Sequence, residues 1–342
     1  MSDKNIIITE REIQEAQERF NITPIRPVQY IAPITMDGIE ADIPPPRHYA
    51  LYPILPIQGI AFIFAATGVG KTMFTLNLAY AIAGGGNFLK YSAPRPRKVL
   101  YLDAEMSYVD IHSRLGQISR QQGKLEQPGN FILYTPDKLI PEGKTEPIRM
   151  PKICTTEGQY FYEMAIENNQ IDVLVIDNLS TLSTIDLDKS HEWHLINDWL
   201  LSLRARGKTI IVVHHAGKNP EGYRGTSRML DTVDTAISLQ TIEETLPEQA
   251  DDMPSTGKRF KIVYKKNRSF FGCDAFPYEV TFLNEKWSHR TIELSVMDRI
   301  VECVTSGMNQ RDIARELLMS QPTVHRMIKR ARKIGLIRDE SD

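Results

Sequence analysis

One stretch limits what the rest of the chain can be. Ile60-Ala61-Phe62-Ile63-Phe64 is an apolar, β-prone run, and Ala65-Ala66-Thr67-Gly68-Val69-Gly70-Lys71-Thr72 follows it directly. A helical pattern then covers residues 73–83 and stops at Gly84-Gly85-Gly86. Strand, Gly-bearing turn ending Gly-Lys-Thr, and helix is the order of a phosphate-binding loop. In such a loop successive backbone N–H groups point inward at phosphate oxygens, and the positive end of the following helix adds to the attraction. Gly68 and Gly70 allow backbone angles that a Cβ disfavours. Thr67, Gly68, Val69, Gly70, Lys71, Thr72 and Met73 are therefore expected to hold a nucleoside triphosphate. Lys71 supplies a point charge to the outer phosphates and the Thr72 hydroxyl a ligand to Mg2+. Ala65 stands where the usual pattern has its first glycine.

The chain has 342 residues and a net charge of −2, which hides an asymmetry. Residues 307–338 hold eight Lys/Arg against two Asp/Glu, a net of +6 that leaves −8 for the remainder. A polyanion-binding surface is thus expected to be local. Cys154, Cys273 and Cys303 are far apart and lack CxxC spacing, which argues against a disulfide framework or a zinc cluster. No apolar run approaches the length needed to span a bilayer and the N-terminus has no signal pattern, so a cytoplasmic protein with no membrane role is expected.

Residues 1–47 read as an arm or linker: a short charged helix at about 10–20 behind a Thr9/Glu12 capping box, then a proline-rich stretch over 22–47. From residue 48 to 288 β-prone runs alternate with helical stretches, which predicts an α/β core with a mostly parallel sheet flanked by helices. The runs are 59–64, 98–102, 131–134, 173–176, 209–213, 235–239 and 261–264, with 278–282 as a candidate last strand. Residues 289–342 change to three short helices, expected at 296–305, 310–318 and 322–334. This is the size and spacing of a small all-α helix-turn-helix domain. A wing would need a strand hairpin after Arg338, and none is legible there.

In an open parallel sheet, ligands sit beyond the C-terminal ends of the strands. Val173-Leu174-Val175-Ile176 ends in Asp177-Asn178, so Asp177 is expected to hold Mg2+ or its water beside Thr72. Val99-Leu100-Tyr101-Leu102 ends in Asp103-Ala104-Glu105. Because Asn178 rather than an acid follows Asp177, Glu105 is the better candidate to orient or deprotonate the attacking water, and Asp103 the weaker one. Residues 210–213 run into His214-His215. Adjacent strand residues face opposite sides, so one histidine faces the nucleotide and His215 is favoured. Two basic loops, around Arg224 and around Lys266 and Arg268, are candidates for a cation supplied to a neighbouring subunit's site.

Taken in order, FIFAATGVGKT, LYLDAE, VLVIDNLSTL, IIVVHHAGKN, YRGTSRMLDTVD and VYKKNR resemble a RecA-like ATPase. The likeness is nearest to the plasmid RepA hexameric replicative helicases and more distant to DnaB-type helicases, and it covers about residues 48–285. It implies ATP and Mg2+ as cofactors, Lys71 and Thr72 on phosphate and metal, Glu105 as catalytic carboxylate, Asp177 as Walker B acid and His215 as sensor. It also implies a homo-oligomeric ring, a hexamer, with single-stranded DNA in its channel. The arginine that follows the aspartate in the RepA-like pattern has no counterpart at Asp231–Asp234, and the resemblance to DnaB-type proteins, which carry their trans-acting cation near Lys266 and Arg268, implies one of these instead. Arg224 matches an arginine of both groups, with its role open.

The C-terminal segment resembles helix-turn-helix domains of bacterial DNA-binding regulators. Ile313, Ala314 and Leu317 are expected to pack against Val324 and Ile328, leaving Thr323, His325, Arg326, Lys329, Arg330, Arg332 and Lys333 outward for duplex DNA. A partner-binding module with a basic face is the competing reading. The expectation for the whole chain is a ring-forming DNA helicase or translocase used in replication of a plasmid, phage or other mobile element. The alternatives are an ATP-regulated DNA-binding regulator or a partner-binding ATPase without unwinding activity.

Overall fold

A computed structural model describes residues 33–184, 190–215, 227–242, 257–292, 296–333 and 336–337. The helix expected at 10–20 and the loop carrying Arg224 lie outside the described residues. The chain divides into two units, Met1–Pro46 and Arg47–Asp342. In the first, the described part holds one short helix, α1 (Met36–Ala41), started by the Thr35 side chain, which accepts from the Gly38 N–H at 3.3 Å.

The second unit is built on strands whose order follows from their apolar runs. These are β1 (Tyr49–Leu51), β2 (Leu55–Pro56), β3 (Ile60–Ala65), β4 (Asn87–Phe88), β5 (Tyr91–Ser92), β6 (Val99–Asp103), β7 (Phe131–Tyr134), β8 (Val173–Asp177) and β9 (Thr209–His215). They continue with β10 (Thr235–Thr241), β11 (Lys258–Asn267), β12 (Tyr278–Leu283) and β13 (Lys286–Thr291). Nine of them form one sheet in the order β13-β12-β11-β10-β3-β9-β8-β6-β7. From β10 to β7 every pairing is parallel, while β10, β11, β12 and β13 pair antiparallel. β13 was not legible as a strand, and it runs across the boundary expected at residue 288.

Side chains alternate across each strand, so the sheet feeds two apolar layers. Ala61, Ile63 and Ala65 of β3 face one layer, with Phe74, Leu76 and Leu78 of α2 (Lys71–Gly84) and Ile111 and Ile118 of α3 (Tyr108–Gln122). Ile60, Phe62 and Phe64 face the other, with Tyr162 and Ile166 of α4 (Thr156–Asn168), Leu182 of α5 (Leu179–Leu182) and Trp193, Ile196 and Leu203 of α6 (Ser190–Ala205). The Phe62 ring meets Trp193 edge-on at 5.9 Å; burying such a ring is worth about 1.5–3 kcal/mol. α2 is apolar nearly all round because the β4–β5 hairpin covers its outer side, with Phe88 against Phe74 at 5.6 Å. Among the described residues no helix is long and apolar enough to cross a membrane.

Three helices close the chain: α7 (Val296–Thr305), α8 (Gln310–Glu316) and α9 (Gln321–Lys333). Asn309 starts α8 by accepting from the Arg311 and Asp312 N–H groups, both at 3.0 Å. Ile300, Cys303, Ile313, Leu317, Val324 and Ile328 form their core, and Phe276 from the segment before β12 packs into it. The Arg299 guanidinium lies 5.3 Å from the Phe276 ring, so the helical domain is seated on the large sheet's antiparallel flank.

Glu302 on α7 is half-buried, and its Oε2 is enclosed without a hydrogen-bond partner among the described residues. Burial pushes its carboxyl up to about 7; Lys261 and Arg299 pull the other way and Asp298 adds to the rise. A raised carboxyl contributes stability below its unfolded value, and that contribution is lost as pH climbs through about 7. Glu302→Gln is therefore expected to raise stability by about 1–2 kcal/mol at pH 8, after discounting for solvent screening, and by clearly less at pH 5. Thermal melting of both proteins at the two pH values checks this; an equal difference at pH 5 and pH 8 contradicts it.

Candidate functional site: a phosphate pocket at the strand ends

The loop after β3 turns through Gly68 at φ +84° and Gly70 at φ +117°, left-handed angles that only glycine adopts without strain. Ala65 lies in the strand itself, buried, so the missing glycine changes nothing in the turn. A cavity of about 460 Å³ opens above the loop, lined there by Thr67, Gly68, Gly70, Lys71, Thr72 and Met73. Val69 instead packs its side chain on the core, which leaves it only a backbone N–H, 3.5 Å from the Ala66 carbonyl, to offer a phosphate.

Lys71 is only 7% exposed, and its Nζ donates to the carbonyls of Ala65 at 3.0 Å and Ala66 at 3.1 Å. His215 Nδ1 lies 3.2 Å from the same ammonium. Burial lowers the Lys71 pKa, while Asp177 and Glu105 nearby raise it. His214, one residue earlier, points to the opposite face: it is fully buried, with its Nδ1 3.4 Å from Ser180 Oγ and its ring edge-on to Phe64.

β6 and β8 run side by side with Asp103 opposite Asp177. Asp177 is buried at the strand end, where Tyr101 Oη donates to its Oδ2 at 2.6 Å and the Thr72 hydroxyl also hydrogen-bonds it. Burial pushes its carboxyl up to about 6, against the pull of Tyr101, Thr72 and Lys71, with Asp103 adding to the rise. Burial beside two carboxylates holds the Tyr101 phenol well above its ordinary value, so it is the donor. Asp103 takes the N–H groups of Glu105 at 2.9 Å and Met106 at 2.8 Å on its Oδ1, which shapes the turn that presents Glu105 to the cavity.

Glu105 is held in turn by Asn178. The Asn178 Oδ1 accepts from the Thr181 N–H at 3.0 Å as the cap of α5, which directs its Nδ2 to Glu105 Oε2 at 2.5 Å. Lysine amine, Thr72 hydroxyl, Asp177 and Glu105 thus converge on one cavity. Its hard oxygen donors, Thr72 and Asp177, fit Mg2+, which prefers oxygen and few protein ligands.

Lys266 and Arg268 lie elsewhere. Lys266 is at the register of Ala236 and hence of Phe62, three residues short of Ala65 and about 10 Å back along the strand. Lys266 Nζ donates to the Leu230 carbonyl and, at 3.1 Å, to that of Asp231; Arg268 Nη2 donates to Asp231 O at 2.6 Å. Asp234 is structural at that end of the sheet, where its Oδ2 accepts from the Ile60 N–H at 2.9 Å.

Reasoning from sequence missed Arg114 and Gln117 of α3, Asn178, and Lys258 and Phe282, all of which line the cavity. Arg114 and Gln117 are spaced i, i+3 on the helix after Glu105, a signal that was available. Lys258 and Phe282 meet only because β11 pairs with β12 in that register.

On α9, Val324, Ile328 and Ala331 are buried, while His325, Arg326, Lys329, Arg330, Arg332 and Lys333 are exposed and Thr323 is half-buried. Arg326 Nη2 donates to Thr323 Oγ1 at 3.3 Å and His325 Nδ1 lies 3.2 Å from Gln310 Oε1, so the early residues of α9 form one polar cluster.

Residues 299–338 match the family described as winged helix-turn-helix DNA-binding, and residues 25–221 match the AAA domain family. Among the described residues, no strand follows α9. Among solved structures, a KaiC-like protein of the hyperthermophilic archaeon Pyrococcus horikoshii OT3 superposes with a TM-score of 0.47 at 14% identity, over 72% of this chain and 100% of that one. With the family match covering more than half of its length, the chain belongs to the AAA domain family, as a P-loop ATPase with an α/β core and a C-terminal helix-turn-helix.

Proposed function

We propose that the protein is a ring-forming, ATP-hydrolysing DNA helicase or translocase that serves replication of a plasmid, phage or other mobile element. The observation that carries the ring is the place of Lys266 and Arg268. Lys266 donates to the Leu230 and Asp231 carbonyls and Arg268 to that of Asp231, at the end of the sheet away from their own phosphate pocket, which supports a role at another copy's site. A cation presented from outside to a developing phosphoryl charge is a recurrent device of such ATPases. Assembled as a hexamer, each copy contributes Lys71, Thr72, Asp177 and Glu105 to one nucleotide and Lys266 or Arg268 to the next. Arg224 is left without a role.

Within the pocket, Lys71 binds the outer phosphates, Glu105 takes a proton from the attacking water, and His215 reports the state of Lys71 to β9. Thr72 and Asp177 hold Mg2+, which when bound neutralises charge on the outer phosphates. Single-stranded DNA occupies the ring channel, and the exposed cations of α9 meet duplex DNA: Thr323, His325 and Arg326 near base edges, Lys329, Arg330 and Lys333 on phosphates.

The basic face of α9 equally fits an ATP-regulated DNA-binding regulator that does not unwind. ATP turnover measured alone, with single-stranded DNA and with duplex DNA separates the two. The motor reading expects stimulation by single strands; stimulation by duplex alone, or by neither, sinks it.

A further inference from the structure

Asp177 and Asp103 face each other across β6 and β8, both buried. Strands are about 4.8 Å apart, so two carboxylates in register repel unless each is held by fixed donors. Asp103 takes the Glu105 and Met106 N–H groups on Oδ1, and its Oδ2 has no partner among the described residues. Asp177 is held differently, by a hydroxyl from the neighbouring strand. Tyr101 precedes Asp103 by two residues, on the same face of β6, and its Oη reaches Asp177 Oδ2 at 2.6 Å. Hydrogen bonds of this length to a carboxylate are among the stronger kind.

The position of that hydroxyl is set by packing. The Tyr101 ring is fully buried and stacked on Phe131 at 6.0 Å and 23°. A phenylalanine would fill the same space, so the hydroxyl is the part of the side chain that packing does not require.

We propose that Tyr101 is a positioning residue for the divalent cation of this pocket: by occupying Asp177 Oδ2 it turns the carboxylate so that its other oxygen is presented with the Thr72 hydroxyl. The proposal rests on the reading of Thr72 and Asp177 as the metal-holding pair. It assigns no contact between Tyr101 and the cation or the nucleotide. Outer hydrogen-bond partners of metal ligands change metal affinity by about 10–100-fold when removed, and that is the effect expected here.

The test compares the full chain with Tyr101→Phe and Phe131→Leu. Binding of a fluorescent ADP analogue is measured in chelator and in Mg2+, and Mn2+ affinity in the presence of ADP is measured from the electron paramagnetic resonance signal of free Mn2+. Tyr101→Phe is expected to bind ADP in chelator within twofold of the parent and to bind Mn2+ at least about tenfold more weakly. Phe131→Leu loosens the stacked ring but keeps the hydroxyl, and is expected to melt at a lower temperature and to lose Mn2+ affinity by less than Tyr101→Phe. Unchanged Mn2+ affinity in Tyr101→Phe overturns the proposal, as does an equal loss in Phe131→Leu. A Tyr101→Phe chain that does not fold overturns it too, because the hydroxyl would then be structural. A parent protein whose ADP affinity ignores Mg2+ sinks the metal reading itself, a different failure from the first.

Discussion

A Glu105→Gln protein is expected to bind ATP about as tightly as the parent and to turn it over about 10²–10⁴-fold more slowly, the range a positioned general base contributes. The side chain lies in the cavity with Lys71, and the Asn178 amide fixes its Oε2 at 2.5 Å. Asn178 cannot turn away, because its own oxygen caps α5 through Thr181. Glutamine keeps the shape and one acceptor for Asn178 but cannot take a proton. Phosphate release measures the loss and nucleotide binding shows that the pocket survives. Turnover within threefold of the parent would remove Glu105 from the chemistry and return the choice to another carboxylate.

Lys71→Ala is expected to lower turnover by about 10³-fold or more and, unlike Glu105→Gln, to weaken nucleotide binding as well. Its ammonium is the cation enclosed between the loop carbonyls of Ala65 and Ala66 and the carboxylates of Asp177 and Glu105. Alanine removes the ammonium and leaves two carboxylates in a site with less positive charge to offset them. Arginine is not expected to rescue, because its planar fork does not fit a niche formed around a single ammonium at 3.0–3.1 Å. Steady-state ATP hydrolysis and nucleotide titration of the three proteins check this. Normal turnover in the alanine variant contradicts the reading of the pocket.

Much of the fold was legible because the informative signals are local. The apolar runs that became β3, β6, β8 and β9 are buried on both faces and read as continuous hydrophobic stretches. The loop from Thr67 to Thr72 carries its own chemistry in consecutive residues. Alternation along β9 was enough to send His214 and His215 to opposite faces.

What was not legible depends on partners distant in sequence. Tyr101 reads as one more apolar strand residue; its hydroxyl meets Asp177, 76 positions away. Lys258 and Phe282 reach the pocket through a hairpin register that no short motif encodes. β13 is polar and exposed apart from the half-buried Trp287, so neither run nor alternation marks it. α1 buries nothing, which removes the apolar periodicity by which helices are recognised.

ATP turnover at this loop is expected to drive movement on DNA, and strand displacement measures that movement. A forked DNA substrate is incubated with ATP and either the intact chain or Lys71→Ala. The intact protein is expected to separate the strands and the variant is not. Measurable ATP hydrolysis by the intact protein with no displacement would contradict it.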